Sequence, residues 1–199
     1  MKKIILILVL SLFLINISSA NTYSTDPQIF VKELVNDAIN KLSDNNFSKE
    51  EKKKFIENIA VKNVDINALG LYTLGELRKS ADKSAVDKYQ ITFQKYFLKS
   101  LTSRLTDYSS NSFEVISADK KSSNYTIVKS KISQRDNQPE IKIDWRIYTN
   151  NPDKPLIRDL IVEGLSLART QKEEFASILS SNDNDLNILI TKLEEFVKN

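Results

Sequence analysis

The spacing of the apolar residues changes once along this chain, and that change restricts the fold more than any other feature. Before Ser109 the apolar residues recur every three or four positions, which is the period of an amphipathic helix. After Ser109 they alternate with polar residues over several segments, which is the period of a half-buried strand. Helical spacing returns near the end of the chain. Consecutive helices, then consecutive strands, then helices predict an α+β domain.

Helical spacing predicts six helices. The first has Asp26 as its cap and Pro27 as its first residue, and the second opens at a capping box formed by Ser48 and Glu51. The fourth carries the widest and most aromatic apolar face, which needs cover from another layer. The six segments are residues 27–42, from 48 onward, 65–78, 82–107, from about 169 onward, and from 184 onward.

Period-two alternation predicts four strands, over residues 113–118, 125–133, 141–148 and 156–163. The third strand alternates most regularly, with Ile143, Trp145 and Ile147 on one face and Asp144 on the other. This pattern is typical of an antiparallel sheet with one buried face and one wet face. We therefore predict an α+β fold in which a four-stranded antiparallel sheet has helices packed on one face. The helices and the sheet either close on each other or enclose an apolar pocket.

The first twenty residues have the features of a secretory signal peptide. Lys2 and Lys3 form a basic region, residues 4–17 are mostly apolar, and residues 18–20 form a small-residue cleavage site. The apolar run is too short for a comfortable membrane span, which needs about 20 apolar residues. An uncleaved anchor is the alternative. We predict a signal peptide over residues 1–20 and a single domain over residues 21–199.

The composition excludes most familiar catalytic and metal sites. The sequence has no histidine and no cysteine, so it cannot form a Ser-His-Asp or Cys-His arrangement and lacks the commonest zinc ligands. Ser166 has no second glycine of a nucleophile elbow. Asp144, Asp159 and Glu163 could serve as acid and base, but nothing in the sequence fixes their spacing. We predict a protein that is not an enzyme and that has no metal site.

The charge distribution argues against nucleic acid as a partner. The formal charge of +3 includes Lys2 and Lys3, so the chain without residues 1–20 carries +3 − 2 = +1. Lysines and acids are interspersed, whereas a phosphate-binding surface needs clustered cations. The last helix also mixes both signs, which disfavours a role in binding membrane surfaces.

Three segments of the chain resemble one protein family. The most specific is residues 161–179, where the matching positions include Val162, Glu163, Gly164, Ser166, Leu167, Phe175 and residues 176–179. Residues 64–75 and 89–105 match a short helical segment and a long helix. Together these segments resemble the MlaC (toluene-tolerance) family of periplasmic phospholipid carriers. The chain departs from the usual pattern at two places: Leu77 and Arg78 stand where aromatic residues, including a tryptophan, are usual, and Gln171 stands where a tyrosine is usual.

The resemblance implies a function. A member of this family carries glycerophospholipid between the inner and outer membranes, as the soluble component of an Mla-type ABC lipid transport system that maintains the lipid asymmetry of the outer membrane. Its partners would be an inner-membrane ABC transporter with an MCE-type component and an outer-membrane lipoprotein complex. The phospholipid is cargo, and no cofactor is implied. We expect a periplasmic monomer.

The resemblance also implies that the sheet and the helices enclose the acyl chains, with the head group outside. The candidate lipid-binding residues come from the long helix, the third strand and the segment after the fourth strand: Phe93, Phe97, Leu101, Ile143, Trp145, Ile147, Val162, Leu165 and Leu167. The alternative is an exported adaptor protein of similar fold with a closed core and no ligand.

Overall fold

The computed structural model describes residues 23–105, 112–133, 139–149 and 154–199, and the predicted signal peptide at 1–20 lies outside them. The described residues form seven helices and five strands. The helices are α1 (Pro27–Ser43), α2 (Lys49–Asn63), α3 (Ile66–Thr73), α4 (Leu77–Ser80), α5 (Lys83–Leu105), α6 (Leu167–Ser180) and α7 (Leu186–Lys198). The strands are β1 (Ser112–Ser122), β2 (Tyr125–Ser133), β3 (Ile141–Tyr148), β4 (Leu156–Val162) and β5 (Leu165–Ser166).

The predicted helix starts at α1 and α2 are confirmed by their caps. The carboxylate of Asp26 accepts hydrogen bonds from the backbone N–H groups of Gln28 and Ile29, and Pro27 follows it. Ser48 and Glu51 form the reciprocal capping box. These bonds satisfy N–H groups that have no partner inside the helix, which is why both helices begin where the sequence predicts. The predicted end of α5 at residue 107 lies outside the described residues.

The single helix predicted over residues 65–78 was wrong, because the chain forms two helices there. Gly75 has a φ of 58°, a left-handed conformation that interrupts an α-helix. Its N–H donates to the carbonyl of Tyr72 over 3.1 Å, which closes the end of α3. Helix α4 then restarts after Gly75, and Arg78 donates from its guanidinium back to the carbonyl of Gly75. A short helical pair therefore replaces the predicted continuous helix.

The sheet is a simple antiparallel meander with the order β1-β2-β3-β4-β5. The starts of β2, β3 and β4 fall where the alternation predicts. The prediction of four strands missed the two-residue β5, which pairs with the end of β4. Glu163 and Gly164 make the turn between them with φ values of 49° and 83°. Two consecutive positive φ values form the tight hairpin turn whose twist matches that of its strands.

The described residues bury two apolar cores. In the first, α1 covers one face of the sheet, and the buried side chains are Phe30, Val31, Leu34, Val35, Val128, Trp145, Ile147 and Ile157. The second lies among α3, α5, α6 and α7, and it centres on Tyr89, Phe93, Phe175, Leu189 and Ile190. Val64 contacts both cores, and its backbone forms a bridge to Ile157 of β4. The helices of the second core are therefore attached to the sheet mainly at β4, through α3 and α6.

Candidate functional site

The sheet face that was predicted to line a pocket has a covered part and a partly open part. Ile147 and Trp145 lie under α1 and are 0% and 7% exposed. Ile143 and Val162 are opposite each other in β3 and β4, and both are only half-buried. Leu160, which is paired with Trp145, is also half-buried. The half-buried apolar surface on this face therefore includes Ile143, Leu160 and Val162, which we call the open part of the sheet face.

The apolar face of the long helix α5 also changes from buried to half-buried along its length. Phe93 is 1% exposed and stacks on Tyr89 and Phe97, with ring centroids 5.7 and 6.3 Å away. Phe97 and Leu101, one and two turns further along, are half-buried. Phe93 therefore belongs to the closed helical core. The second half of α5 offers the less covered apolar surface.

Chain length limits how far the end of α5 can lie from the start of the sheet. Helix α5 ends at Leu105 and β1 begins at Ser112, so their Cα atoms are separated by seven peptide steps. Seven fully extended steps span at most about 25 Å. Phe113 at the start of β1 lies in a row with Ile132 and Ile141, at the same end of the sheet as Ile143. The end of α5 therefore lies within about 25 Å of the sheet end that carries Phe113, which permits but does not fix a position beside Ile143.

Leu165 and Leu167 are the two predicted residues that the structure leaves on the surface. Leu165 is 69% exposed on β5, and Leu167 is 45% exposed at the first position of α6. Neither belongs to the two buried cores. In this conformation the two leucines form no part of an enclosed wall.

The residues around Leu165 and Leu167 join the end of the sheet to the start of α6, a structural role that the sequence analysis did not predict. The buried carboxylate of Asp159 accepts hydrogen bonds from Ser166 Oγ over 2.6 Å and from the backbone N–H of Ala168 over 2.9 Å. It also forms an ion pair with Arg146 over 3.2 Å. Ser166 Oγ in turn accepts from the N–H of Arg169 and caps α6. Asp159 therefore joins β4 to the start of α6, and the Gly164 turn brings Ser166 within its reach.

Asp159→Asn is expected to lower the free energy of unfolding by about 1–3 kcal/mol, because a neutral amide cannot satisfy all three donors of this buried site. Asp144→Asn is the control, since Asp144 lies on the same face of the neighbouring strand and is less buried. Urea unfolding of both variants and of the parent protein measures the loss. Equal stability of both variants would contradict a structural role for Asp159.

The two departures from the family pattern have local partners. Gln171 Oε1 accepts a hydrogen bond from the Tyr96 hydroxyl over 2.9 Å, which links α6 to α5. Burial raises the pKa of Tyr96 despite this hydrogen bond, so the phenol remains a protonated donor at neutral pH. Arg78 is engaged with the carbonyl of Gly75. Gln171 therefore holds two helices of the second core together through a polar contact.

None of the nine predicted lipid-binding residues lines either of two grooves on the described surface. One, of about 360 Å³, lies between α1 and β1 and includes Ile29 and Phe113. The other, of about 270 Å³, lies on the outer face of the sheet beside Lys129 and Ile161. Within the described ranges no group of three acidic residues is arranged to hold a metal ion. No helix in that part of the chain is long and apolar enough to cross a membrane.

Comparison with known proteins identifies the family. The family model described as "MlaC protein" matches residues 32–195 of this sequence. This chain belongs to the MlaC family. A solved structure of similar fold is the phospholipid-binding protein from Ralstonia solanacearum in complex with a phospholipid, with a TM-score of 0.71 and 17% sequence identity. The match covers 86% of this chain and 96% of that one. No curated protein matches the sequence.

Two residues that lie near the open part of the sheet, Leu160 and Ser130, were not selected in the sequence analysis. Leu160 alternates with Val162 along β4, and this spacing was sufficient to place both on one face. Ser130 is a buried serine between Val128 and Ile132 on the covered face of β2, and its hydroxyl contacts Trp145. A serine between two apolar residues of the predicted inward face was the available signal. Its partner could be identified only from the strand register.

Proposed function

We propose that this MlaC-family protein is a periplasmic carrier that binds glycerophospholipid and moves it between the inner and outer membranes. The observation that supports this most is the similarity in fold to the phospholipid-bound protein from Ralstonia solanacearum, which extends over 96% of that chain. The MlaC family consists of lipid carriers rather than enzymes. The predicted signal peptide over residues 1–20 agrees with a periplasmic location.

The half-buried apolar surfaces on α5 and the sheet suggest where the acyl chains bind. We place them between the second half of α5, with Phe97 and Leu101, and the open part of the sheet, with Ile143 and Val162. Trp145 and Ile147 form the deeper floor where α1 covers the sheet. Phe93 supports this site from the helical core, and Leu165 and Leu167 lie at its mouth. Helices and sheet separate locally to admit the chains.

The energetics of acyl-chain burial suit a carrier that needs help to release its cargo. Each buried methylene contributes about 0.8 kcal/mol, so roughly 30 methylenes give a gross value near 24 kcal/mol. This exceeds the practical ceiling of about 18–21 kcal/mol for non-covalent affinity, and the cost of opening and ordering the site offsets part of it. The lipid should therefore leave slowly by itself. Release then requires contact with the inner-membrane MCE-type component or the outer-membrane lipoprotein complex.

Native mass spectrometry of the mature protein tests this proposal. The protein is purified from a periplasmic extract without detergent, and any bound molecule is extracted into organic solvent. We expect an adduct with the mass of one or two glycerophospholipids that is identified as such after extraction. A polypeptide that remains bare after incubation with phospholipid vesicles and detergent-solubilised phospholipid would contradict the proposal. The exported adaptor with a closed core would then be the better account.

A further inference from the structure

The indole N–H of Trp145 is held by a single buried hydroxyl. Trp145 Nε1 donates to Ser130 Oγ over 2.8 Å, and the hydroxyl of Ser130 donates to the carbonyl of Ile143 over 3.0 Å. Ser130 is 1% exposed. It therefore accepts the indole proton and gives its own proton to the residue opposite it on β3. Both polar groups are satisfied inside an apolar surface, as buried polar groups require.

The strand register fixes this arrangement. Ser130 is directly opposite Ile143, and Trp145 follows Ile143 by two residues, so all three side chains are on the same sheet face. The ring of Phe113 meets the indole edge-on, with centroids 6.3 Å apart and planes at 84°. The indole is therefore restrained by a hydrogen bond at its polar edge and by an aromatic ring from β1.

We propose that Ser130 is a positioning residue for lipid binding, which turns the polar edge of Trp145 into the sheet so that apolar ring surface faces the acyl chains. The inference rests on the proposed function. It adds Ser130 as the residue that determines which edge of the Trp145 ring faces the acyl chains. An indole N–H that faced acyl chains would lose its hydrogen bond to water without gaining another. Ser130 removes that cost, and it acts through Trp145 without contacting the lipid.

The sequence supplies its own reporter for this inference, because Trp145 is the only tryptophan. Its fluorescence is measured on the mature protein loaded with detergent-solubilised phosphatidylethanolamine whose acyl chains carry bromine, a contact quencher. The unbrominated lipid is the reference. We expect the brominated lipid to quench the wild-type emission. Ser130→Ala should shift the emission of Trp145 and make the lipid dissociate about tenfold faster, because the indole N–H is then left without a partner beneath the acyl chains.

Three further variants separate positioning from a general loss of stability. Ser130→Thr keeps the hydroxyl and should restore the lipid dissociation rate. Thr126→Ala removes another buried hydroxyl from the same face of β2, opposite Ile147 rather than Ile143, and should leave both readouts near wild type. In a Trp145→Phe background, Ser130→Ala should have no further effect on dissociation, because no indole N–H is left to satisfy.

The failure of this inference and the failure of the proposed function give different results. If mass spectrometry shows bound phospholipid but the brominated chains leave Trp145 unquenched, the carrier function stands and the inference is overturned. It is also overturned if Ser130→Ala unfolds at lower urea but releases lipid at the wild-type rate. If the wild-type protein takes up neither lipid, the proposed function fails and the inference fails with it.

Discussion

Val162→Glu is expected to remove phospholipid from the protein at pH 7 while the fold remains intact. Val162 lies opposite Ile143 on the open part of the sheet face, where we place the acyl chains. A carboxylate there must be protonated before an acyl chain can cover it. With an ordinary glutamate pKa of about 4.3, protonation at pH 7 costs about 3.7 kcal/mol, or roughly 500-fold in affinity. The free protein is affected little, because the half-buried carboxylate still reaches water.

The expected pH dependence distinguishes this effect from a steric one. Covering the new glutamate with lipid raises its pKa, so binding should strengthen as the pH falls towards the ordinary value. At pH 5 the cost of protonation falls to about 1 kcal/mol, or roughly fivefold in affinity. Lipid binding is measured at both values by native mass spectrometry and by a lipid-transfer assay from labelled vesicles. A loss of lipid that is equal at pH 5 and pH 7 would indicate a clash or an altered fold.

Ile161→Glu is the matched control. Ile161 is the preceding residue of β4, is half-buried like Val162, and lies on the other face of the sheet, paired with Asp144. It also borders the outer groove, which Lys129 and Lys142 line. We expect this variant to retain phospholipid at both pH values. If Ile161→Glu loses lipid and Val162→Glu keeps it, the acyl chains bind on the outer face of the sheet.

The sequence predicted the elements whose boundaries depend on local chemistry. Asp26 and the Ser48–Glu51 box are caps that act within three residues, so the amino-acid sequence alone was enough to place the starts of α1 and α2. The alternation of β3 likewise predicted which face of the sheet would be buried. The break at Gly75 and the short β5 were missed. Each depends on a left-handed residue or a two-residue pairing that leaves almost no periodic signal.

The candidate site was predicted less completely, because an apolar residue has the same pattern whether it lines a pocket or fills a core. Phe93 and Phe97 are four residues apart on one helix face, yet the first is closed into the helical core and the second is half-buried. That difference arises from how α6 and α7 cover α5, which is tertiary information. The network around Asp159 was missed for a related reason. Its donors come from β3, β5 and α6, which meet only in the folded chain.

The second large effect is expected in the helical core, where Phe93→Ala should lower the free energy of unfolding by about 3–5 kcal/mol. Phe93 packs on Tyr89, Tyr96 and Phe97 and meets the edge of the Phe175 ring at 6.3 Å, so truncation leaves a cavity lined by four aromatic rings. For a domain of this size the loss corresponds to a fall in Tm of roughly 6–20 °C. Thermal and urea unfolding measure it.

Ile91→Ala is the control for this variant, because Ile91 is two residues away on α5 and is 62% exposed. Its stability should stay within about 0.5 kcal/mol of the parent protein.

Unfolding both variants with and without bound phospholipid then assigns Phe93 to the core or to the site. A core residue loses the same stability in both states, whereas a residue that contacts the lipid loses more in the loaded protein, since the weakened lipid contributes less to the folded state. We expect equal losses, because the structure closes Phe93 into the helical layer. A larger loss in the loaded protein would extend the acyl-chain site from Phe97 one turn further along α5.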